Sequence, residues 1–503
     1  MIRGWLDRLG GRLATPVDGS SVAALRIVFG AAIVYESIAL WPLAPGLFID
    51  PPFHFKYGGF AFVEPWSAGW VYFALTATLA AALALMAGWC CRAAAAGTFV
   101  GFGYLFLLEE ALYLNHFYLM VVVAFLLTVV RTDRWASVDQ YLRRVERVQT
   151  VPLWHVLILR AQVVIVYFYG GLAKLNGDWL RGEPVSEWLG RREAFPFVGH
   201  LLTEDWVTLW VFSYGGLVFD LSIGFLLLSR RTRDLALIPL LFFHVTNALV
   251  FHIGVFPWLS LGLTVIFFDP GGPRALLDDL REKWLGKRRR ASESGRQIHS
   301  QITWRKRTAA AFFVGWIAVQ SFVPLRHWLY PGNVNWTEEG HRFSWRMKLR
   351  DKQGWLTFAV TDRETGATVP FTPVPGYAPE ELQLTRLQLQ RMTMCPRLAV
   401  QYAHYLHRNA HLMGLEDPEV RVVCLVSLNG RPHQLLIDPE VDLARVEPPW
   451  IGPAEWIVPL LPDQPIGLYE PLDLDRFDGV LRARFPDNPF WERYPESGKG
   501  LRE

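Results

Sequence analysis

Half of the 503 residues (51%) are hydrophobic and 14% are aromatic, with 22 tryptophans and 33 phenylalanines, and the mean hydropathy is positive. This composition speaks against a soluble globular chain and for a membrane protein whose aromatic residues populate the interfaces. The net charge of +3 gives no reason to expect nucleic acid as a partner, because the basic residues are accounted for by membrane topology.

The first twenty residues carry basic residues and Trp but no small-residue cleavage site, so they read as a cytoplasmic lead into the first span and not as a cleaved signal. Apolar runs near the roughly 20 residues that a spanning helix needs predict about nine spans, at 21–44, 69–90, 93–111, 115–130, 157–175, 206–228, 235–251, 253–269 and 308–324. The eighth is short, with Pro257 inside it, and reads as tilted, re-entrant or kinked. With the N-terminus inside, cytoplasmic segments receive Arg3, Arg8 and Arg12, then Arg131, Arg134, Arg143, Arg144 and Arg147, then Arg230, Arg231 and Arg233, and finally Lys287 to Arg290. External loops receive little beyond Lys56, Arg181, Arg191 and Arg192. The positive-inside rule then puts everything after Pro324 on the external face. Losing one span would reverse the topology downstream. The basic run at 286–297 reads as a solvated cytoplasmic loop.

The predicted organisation is a transmembrane helical domain at 1–324 and an external, β-rich α+β domain at 325–503. In the second, FSWRMKLRDK, GWLTFAVTDR, VRVVCLVSLNG and PHQLLIDPE alternate apolar and polar residues and end at turn formers, as half-buried strands do. The segment from Pro379 to Gly414 has helical spacing; strand pairs flanking it suit a small α+β unit. The tail beyond about 485 is expected to be poorly ordered. Cys90 and Cys91, at a cytoplasmic helix end, read as buried or interfacial thiols. For Cys395 and Cys424 a disulfide is chemically allowed on the external side, but the spacing does not fix it. No CxxC or His–Cys ligand spacing is present, so no metal is expected.

Polar residues within the spans carry the functional signal. Lys174 ends span five, in a run otherwise fit for lipid, and an intramembrane ammonium is a functional-site hypothesis by default. Asn115 and His116 open span four at its external end, His244 and Asn247 lie in the outer half of span seven, and His252 follows in the next turn. All collect at one depth beneath the external domain. On span five Arg160, Val163, Tyr167, Gly171 and Lys174 share a helical face, and Gly170 and Gly171 admit a close-packed helix or a flat ring. Plainer roles stand beside these: Lys174 snorkelling to the headgroups, glycines that only pack helices, an interhelical bond at His244 and Asn247, and a helix cap at Asn115. Asp220, deep in span six, reads as a structural hydrogen bond or a neutral acid.

The stretch YFYGGLAKLNGDWLRG at 167–182 closely resembles the vitamin K-dependent γ-glutamyl carboxylase family, in which a lysine followed by Leu, a polar pair and Trp serves as the active-site base. The resemblance continues in NHFYLMVVVAFLLT at 115, RWASVDQYLRR, VPLWHVLILRAQVVIVYF, FHVTNALVFHIGVF at 243 and NVNWTEEGHRFSWRMKLRD at 333, covering at least 100–350 in the family's order. It implies an HTTM-type membrane domain in a homologue of bacterial type, shorter than the animal enzymes. Lys174 falls on the family's base, and Asn115 and His116 on a pair linked to its quinol chemistry. Tyr167, Gly171, His244 and Asn247 are implied as quinone-binding, and Ser344 and Trp345 as recognising glutamate; a strand with an interfacial Trp is the plainer reading of the last pair. His341, Arg342 and His252 depart from the family's residue types.

The implied cosubstrates are reduced vitamin K of the menaquinol or phylloquinol type, O2 and CO2, without a metal; the implied partners are lipid quinol, a protein or peptide glutamate and membrane lipid. The γ-carbon of glutamate is far too weak an acid for any side-chain base, so the family lets the quinol's reaction with O2 generate the strong base. Lys174 must be neutral to start that reaction, and an apolar pocket keeps water away. The implied place is a bacterial plasma membrane, or an endoplasmic reticulum membrane in a eukaryote. Alternatives are a quinol epoxidase or monooxygenase that does not carboxylate glutamate, and a non-enzymatic quinone or lipid carrier, which inverted repeats would favour; no internal symmetry is evident.

Overall fold

The computed structural model describes residues 2–145, 148–251, 253–285, 303–449 and 451–484, apart from 463, 465 and 467–469. The expectations for Arg147, His252, the basic run at 286–297 and the tail lie outside the described residues.

In chain order the principal helices are α1 (Ile2–Leu13), α2 (Ser20–Leu40), α3 (Ala68–Ala87), α4 (Cys91–Leu108), α5 (Asn115–Val129), α6 (Leu153–Lys174), α7 (Val207–Leu228), α8 (Arg233–Phe251), α9 (Phe256–Phe267), α10 (Gly272–Leu285) and α11 (Trp304–Leu329). Among the described residues seven of them, α2, α3, α4, α6, α7, α8 and α11, are long and apolar enough to cross a membrane. The shorter apolar helices α5 and α9 coincide with the fourth and eighth predicted spans.

Local chemistry sets the helix ends. Ser67 caps α3 by accepting the Trp70 amide at 3.2 Å. Gly88 closes it at φ +75°, where an added Cβ would lie 2.7 Å from the Ser137 Cα. After Lys174 the chain stops and restarts within two residues. Asn176 accepts the Trp179 amide at 3.1 Å and caps a short helix, Gly177–Leu180. The LNGDW sequence is thus a helix break that turns Trp179 back over the lysine.

Small residues let α6 and α7 approach closely. A Cβ on Gly171 would lie 2.8 Å from the Leu221 amide nitrogen, and one on Gly224 would lie 3.1 Å from the Val164 Cα. Arg160, on the inner half of α6, donates to the carbonyls of Ile266, Phe267 and Phe268 at the end of α9, at 2.8 to 3.2 Å. A cation there satisfies orphan carbonyls and complements the helix dipole. A two-stranded ribbon, β1 (Pro16–Asp18) with β2 (Thr150–Pro152), ties the start of α2 to that of α6.

The C-terminal part is α+β. Its antiparallel sheet runs in the order β4 (Thr368–Phe371), β3 (Lys352–Thr361), β5 (Glu419–Leu428) and β6 (Gln434–Leu435), with Phe358 opposite Phe371 and Leu356 opposite Cys424. Helices α12 (Arg386–Met394) and α13 (Pro396–Arg408) cover one face through Met392, Leu398, Tyr402 and Leu406. A Thr385–Gln388 capping box starts α12. Two expectations change here. FSWRMKLRDK is not a strand before Lys352, because Phe343, Trp345 and Lys348 all have left-handed backbone, with φ of 60°, 55° and 49°. The short strand β4 has no counterpart among the predicted strands. All four cysteines are free, Cys90 exposed and the others buried.

This part is seated on the membrane helices by a shared core and by polar clamps. Phe55 and Ala111, from external loops of the helical part, share a core with Trp336, Leu356 and Tyr402. Asp178, just past Lys174, accepts two bonds from Arg431 at 2.7 and 2.8 Å and one from Asn429 at 2.8 Å. Gln401 of α13 exchanges two bonds with the Lys56 backbone.

Candidate functional site

Where α6, α7, α8 and α9 diverge below the C-terminal part they leave a cavity of about 100 Å³. Its walls are mainly apolar, with Val163, Val166, Phe212, Phe243 and Phe256 among them. Lys174, on the last turn of α6, and Asp220, on α7, meet at this wall in a buried ion pair. The ammonium lies 5.1 Å from the Trp179 ring centroid and 5.8 Å from that of Phe243, within reach of cation–π attraction. Trp179 is itself fixed by donating its indole N–H to the Ser213 carbonyl at 2.8 Å. Lys174 therefore does not snorkel, since its charged end is held inside by an acid and two rings.

Seven residues earlier on α6, the Tyr167 hydroxyl lies 2.6 Å from Nε2 of His244 on α8. His244 is buried, and its Nδ1 has no hydrogen-bond partner among the described residues. Asn247, three residues along the same helix, lines the cavity with it. Gly171 does not line it. It sits on the α6 edge nearest α7, where Leu221 fills the space, so its observed role is helix packing. A Cβ on Gly170 would instead meet Met347 at 3.2 Å and the Asp220 carboxylate at 3.4 Å.

A second cavity, of about 780 Å³, adjoins the first and shares Trp188, Phe251, Ile253, Phe256, Met347 and Lys348 with it. Asn115 and His116 line this one. Asn115 is not a cap, because Leu114 holds that position; its side chain accepts from the Tyr113 hydroxyl at 3.2 Å and donates to the Arg346 carbonyl at 3.0 Å. The His116 ring lies between those of Phe117 and Phe256.

The segment 338–351 forms the outer wall and is strongly charged. Buried Glu338 accepts from Arg350 and, at 3.1 Å, from Lys352. Burial alone would raise its pKa, but Arg350, Lys352 and Arg342 outweigh that and hold it below the usual carboxylate range. His341 is neutral, because burial first and then the cations Arg350, Arg342 and Arg346 push its pKa well below the ordinary value. Its Nε2 accepts from Arg350 at 3.1 Å, which leaves the proton on Nδ1. Burial and the Arg350 charge bring Arg346 down to about 10.

Ser344 and Trp345 line neither cavity. The Ser344 hydroxyl donates to the Gly340 carbonyl at 2.6 Å and faces a separate pocket beside Tyr169 and His327. Trp345 is wholly buried against Tyr118, ring centroids 4.7 Å apart. The left-handed residues around them break the strand alternation, and the wall is built by His341, Arg342, Arg346, Lys348 and Arg350 instead. Asp220, read from the sequence as a structural hydrogen bond or a neutral acid, has Lys174 as its partner. An unpaired acid and an unpaired base in neighbouring spans were the available signal. Nothing periodic marked Lys348.

Comparison with known families covers most of the chain. Residues 14–271 match the HTTM domain, and residues 305–463 match the vitamin K-dependent gamma-carboxylase, lumenal domain. No solved structure matches the chain. The HTTM match alone spans more than half of the sequence, and it takes in Asn115, Lys174, Asp220 and His244, while the second match takes in the charged wall. An α-helical membrane domain followed by a lumenal α+β domain, in this order and around a buried lysine, identifies the chain as a member of the vitamin K-dependent gamma-carboxylase family.

Proposed function

We propose that this protein couples the O2-dependent epoxidation of a lipid quinol to γ-carboxylation of glutamate in a protein or peptide, with Lys174 as the base that starts the reaction. The observation that carries this reading is the Lys174–Asp220 pair, buried beside two aromatic rings at the wall of an apolar cavity.

The residues present suit a lipid quinol. Apolar walls would take the ring and tail, and the unpartnered Nδ1 of His244, with Asn247 beside it, would hold a ring oxygen. When bound, the quinol supplies through its reaction with O2 the strong base that removes the γ-proton of glutamate; CO2 then adds to that carbon.

Lys174 and Asp220 divide one proton between two groups in a low-dielectric site. Keeping two opposite charges there costs solvation that an uncharged amine and carboxylic acid do not need. With the proton on Oδ2 of Asp220, Nζ of Lys174 has a lone pair for a hydroxyl proton. Tyr167 orients His244, and Trp179 and Phe243 exclude water from the amine.

Purified protein supplied with reduced vitamin K, O2, labelled bicarbonate and a glutamate peptide should form lipid epoxide and labelled peptide together. Lys174→Ala should lose both products while inserting and folding normally, and Lys174→Arg should fail as well because a guanidinium does not release its proton. Epoxide without peptide label would reduce the protein to a quinol epoxidase, and a fully active Lys174→Ala protein would remove the mechanism.

A further inference from the structure

Lys348 lines both cavities and stands at their junction. Its ammonium lies 4.7 Å from the Trp188 ring centroid and 5.7 Å from that of Phe251. Rings of this kind hold a cation in place and keep it partly dry without neutralising it. Among the described residues it has no hydrogen bond and no ion pair, yet the residue is exposed to the cavity space. Three neighbouring cations of the outer wall are engaged. Arg350 and Lys352 bind Glu338, and Arg346 donates to Asn335 at 3.0 Å. Of the acids on the larger cavity, Glu338 is taken up in that cluster, Asp351 pairs with Arg191 at 2.8 Å, and Glu36 belongs to α2. Lys348 also keeps a left-handed backbone that a side-chain-bearing residue adopts at a cost. A free cation, aimed by two aromatic rings and held on strained backbone between two chambers, is arranged for an anion that arrives from outside the fold.

We propose that Lys348 seats the side-chain carboxylate of an acidic peptide at the junction of the two cavities. The larger cavity carries the peptide, and the smaller one receives the side chain that reaches past Met347. Arg391, whose buried Nε has no hydrogen-bond partner among the described residues, adds a second positive group to the same chamber. The site takes a carboxylate on a flexible stem because Trp188 and Phe251 flank the ammonium with apolar surface that methylene groups can cover. That the carboxylate is the γ-carboxyl of glutamate rests on the function proposed above.

The test uses equilibrium binding of the full chain in detergent, without quinol or O2, to a short glutamate peptide and to its glutamine counterpart. The wild type should prefer the glutamate peptide by about tenfold, equivalent to ~1.4 kcal/mol. In Lys348→Met, which keeps an unbranched stem and removes the charge, the ratio should fall below about twofold, while Lys348→Arg should keep most of it. Because the two peptides share one protein sample, partial loss of folding cancels from the ratio. A Lys348→Met protein with the wild-type ratio, or a wild type with no preference, would overturn the proposal. A wild type that keeps the preference but carboxylates no peptide would refute the function proposed above and leave the carboxylate seat in place.

Discussion

At the scale of single residues the chemistry turns on where one proton rests. In the proposed mechanism Asp220 holds the proton that Lys174 gives up, so Asp220→Asn should lower kcat for epoxidation by at least ~10²-fold, the scale of general acid–base effects. Asparagine keeps a hydrogen-bonding oxygen near the amine, and a near-normal rate in Asp220→Asn would mean the carboxylate only positions Lys174. In the outer wall His341 gives a pH-dependent expectation of defined sign. Its folded pKa is depressed, so below about 6.5 the unfolded chain takes up a proton that the folded chain refuses. Stability from this group is therefore complete above that pH and falls by ~1.4 kcal/mol per unit on acidification until the lowered folded value is reached. His341→Gln should flatten the drop in thermal midpoint between pH 7.5 and 5.5; an unaltered slope would assign the acid sensitivity elsewhere. Lys174, His244 and Asn247 were legible in the sequence because ionisable and polar groups are rare in spans and helical spacing fixes their faces. The partnership of Lys174 with Asp220 was not, since spacing within one helix says nothing of the rotation of its neighbour.

Among the elements, the contact between α6 and α7 sets the geometry of that pair. Gly171 permits the approach, and adding one methyl there brings it to 2.8 Å from the backbone of Leu221. Gly171→Ala should cost about 1–3 kcal/mol of stability, as overpacking does, and should lower epoxidation while leaving the ionisable residues in place. A variant with wild-type melting and rate would show that the interface is soft. The nine apolar runs were readable from length alone, and β3, β5 and the helical cover followed from their periods. The segment 338–351 was not, because left-handed residues interrupt alternation and periodicity has no meaning across them. Trp345, for which the resemblance implies glutamate recognition, is buried in the core, whereas Lys348 drew no attention and lies on both cavities.

For the whole molecule the sidedness of the membrane decides whether the two cavities serve one compartment. Native Cys90, exposed at the turn between α3 and α4, belongs to the cytoplasmic side in the charge-based topology, and Thr365 in the hairpin between β3 and β4 to the external side. A membrane-impermeant maleimide added to intact cells should label a Thr365→Cys variant and leave the wild type unlabelled. Labelling of the wild type at Cys90 would place the N-terminal helices the other way up. Among the described residues seven helices are long and apolar enough to cross, and two shorter apolar helices lie where the fourth and eighth apolar runs were read.

The clamp between Lys56 and Gln401 joins positions 345 residues apart, and Phe55 packs in the same core as Leu356 and Tyr402. A chain made from its N-terminus cannot close such contacts until it has grown past Tyr402. The first external loop must wait, unsatisfied, for strand β3 and helix α13, which emerge long after it. The two cavities are therefore completed only late in biogenesis, and a chain truncated before α13 would carry every intramembrane residue of the candidate site yet lack part of the roof above it.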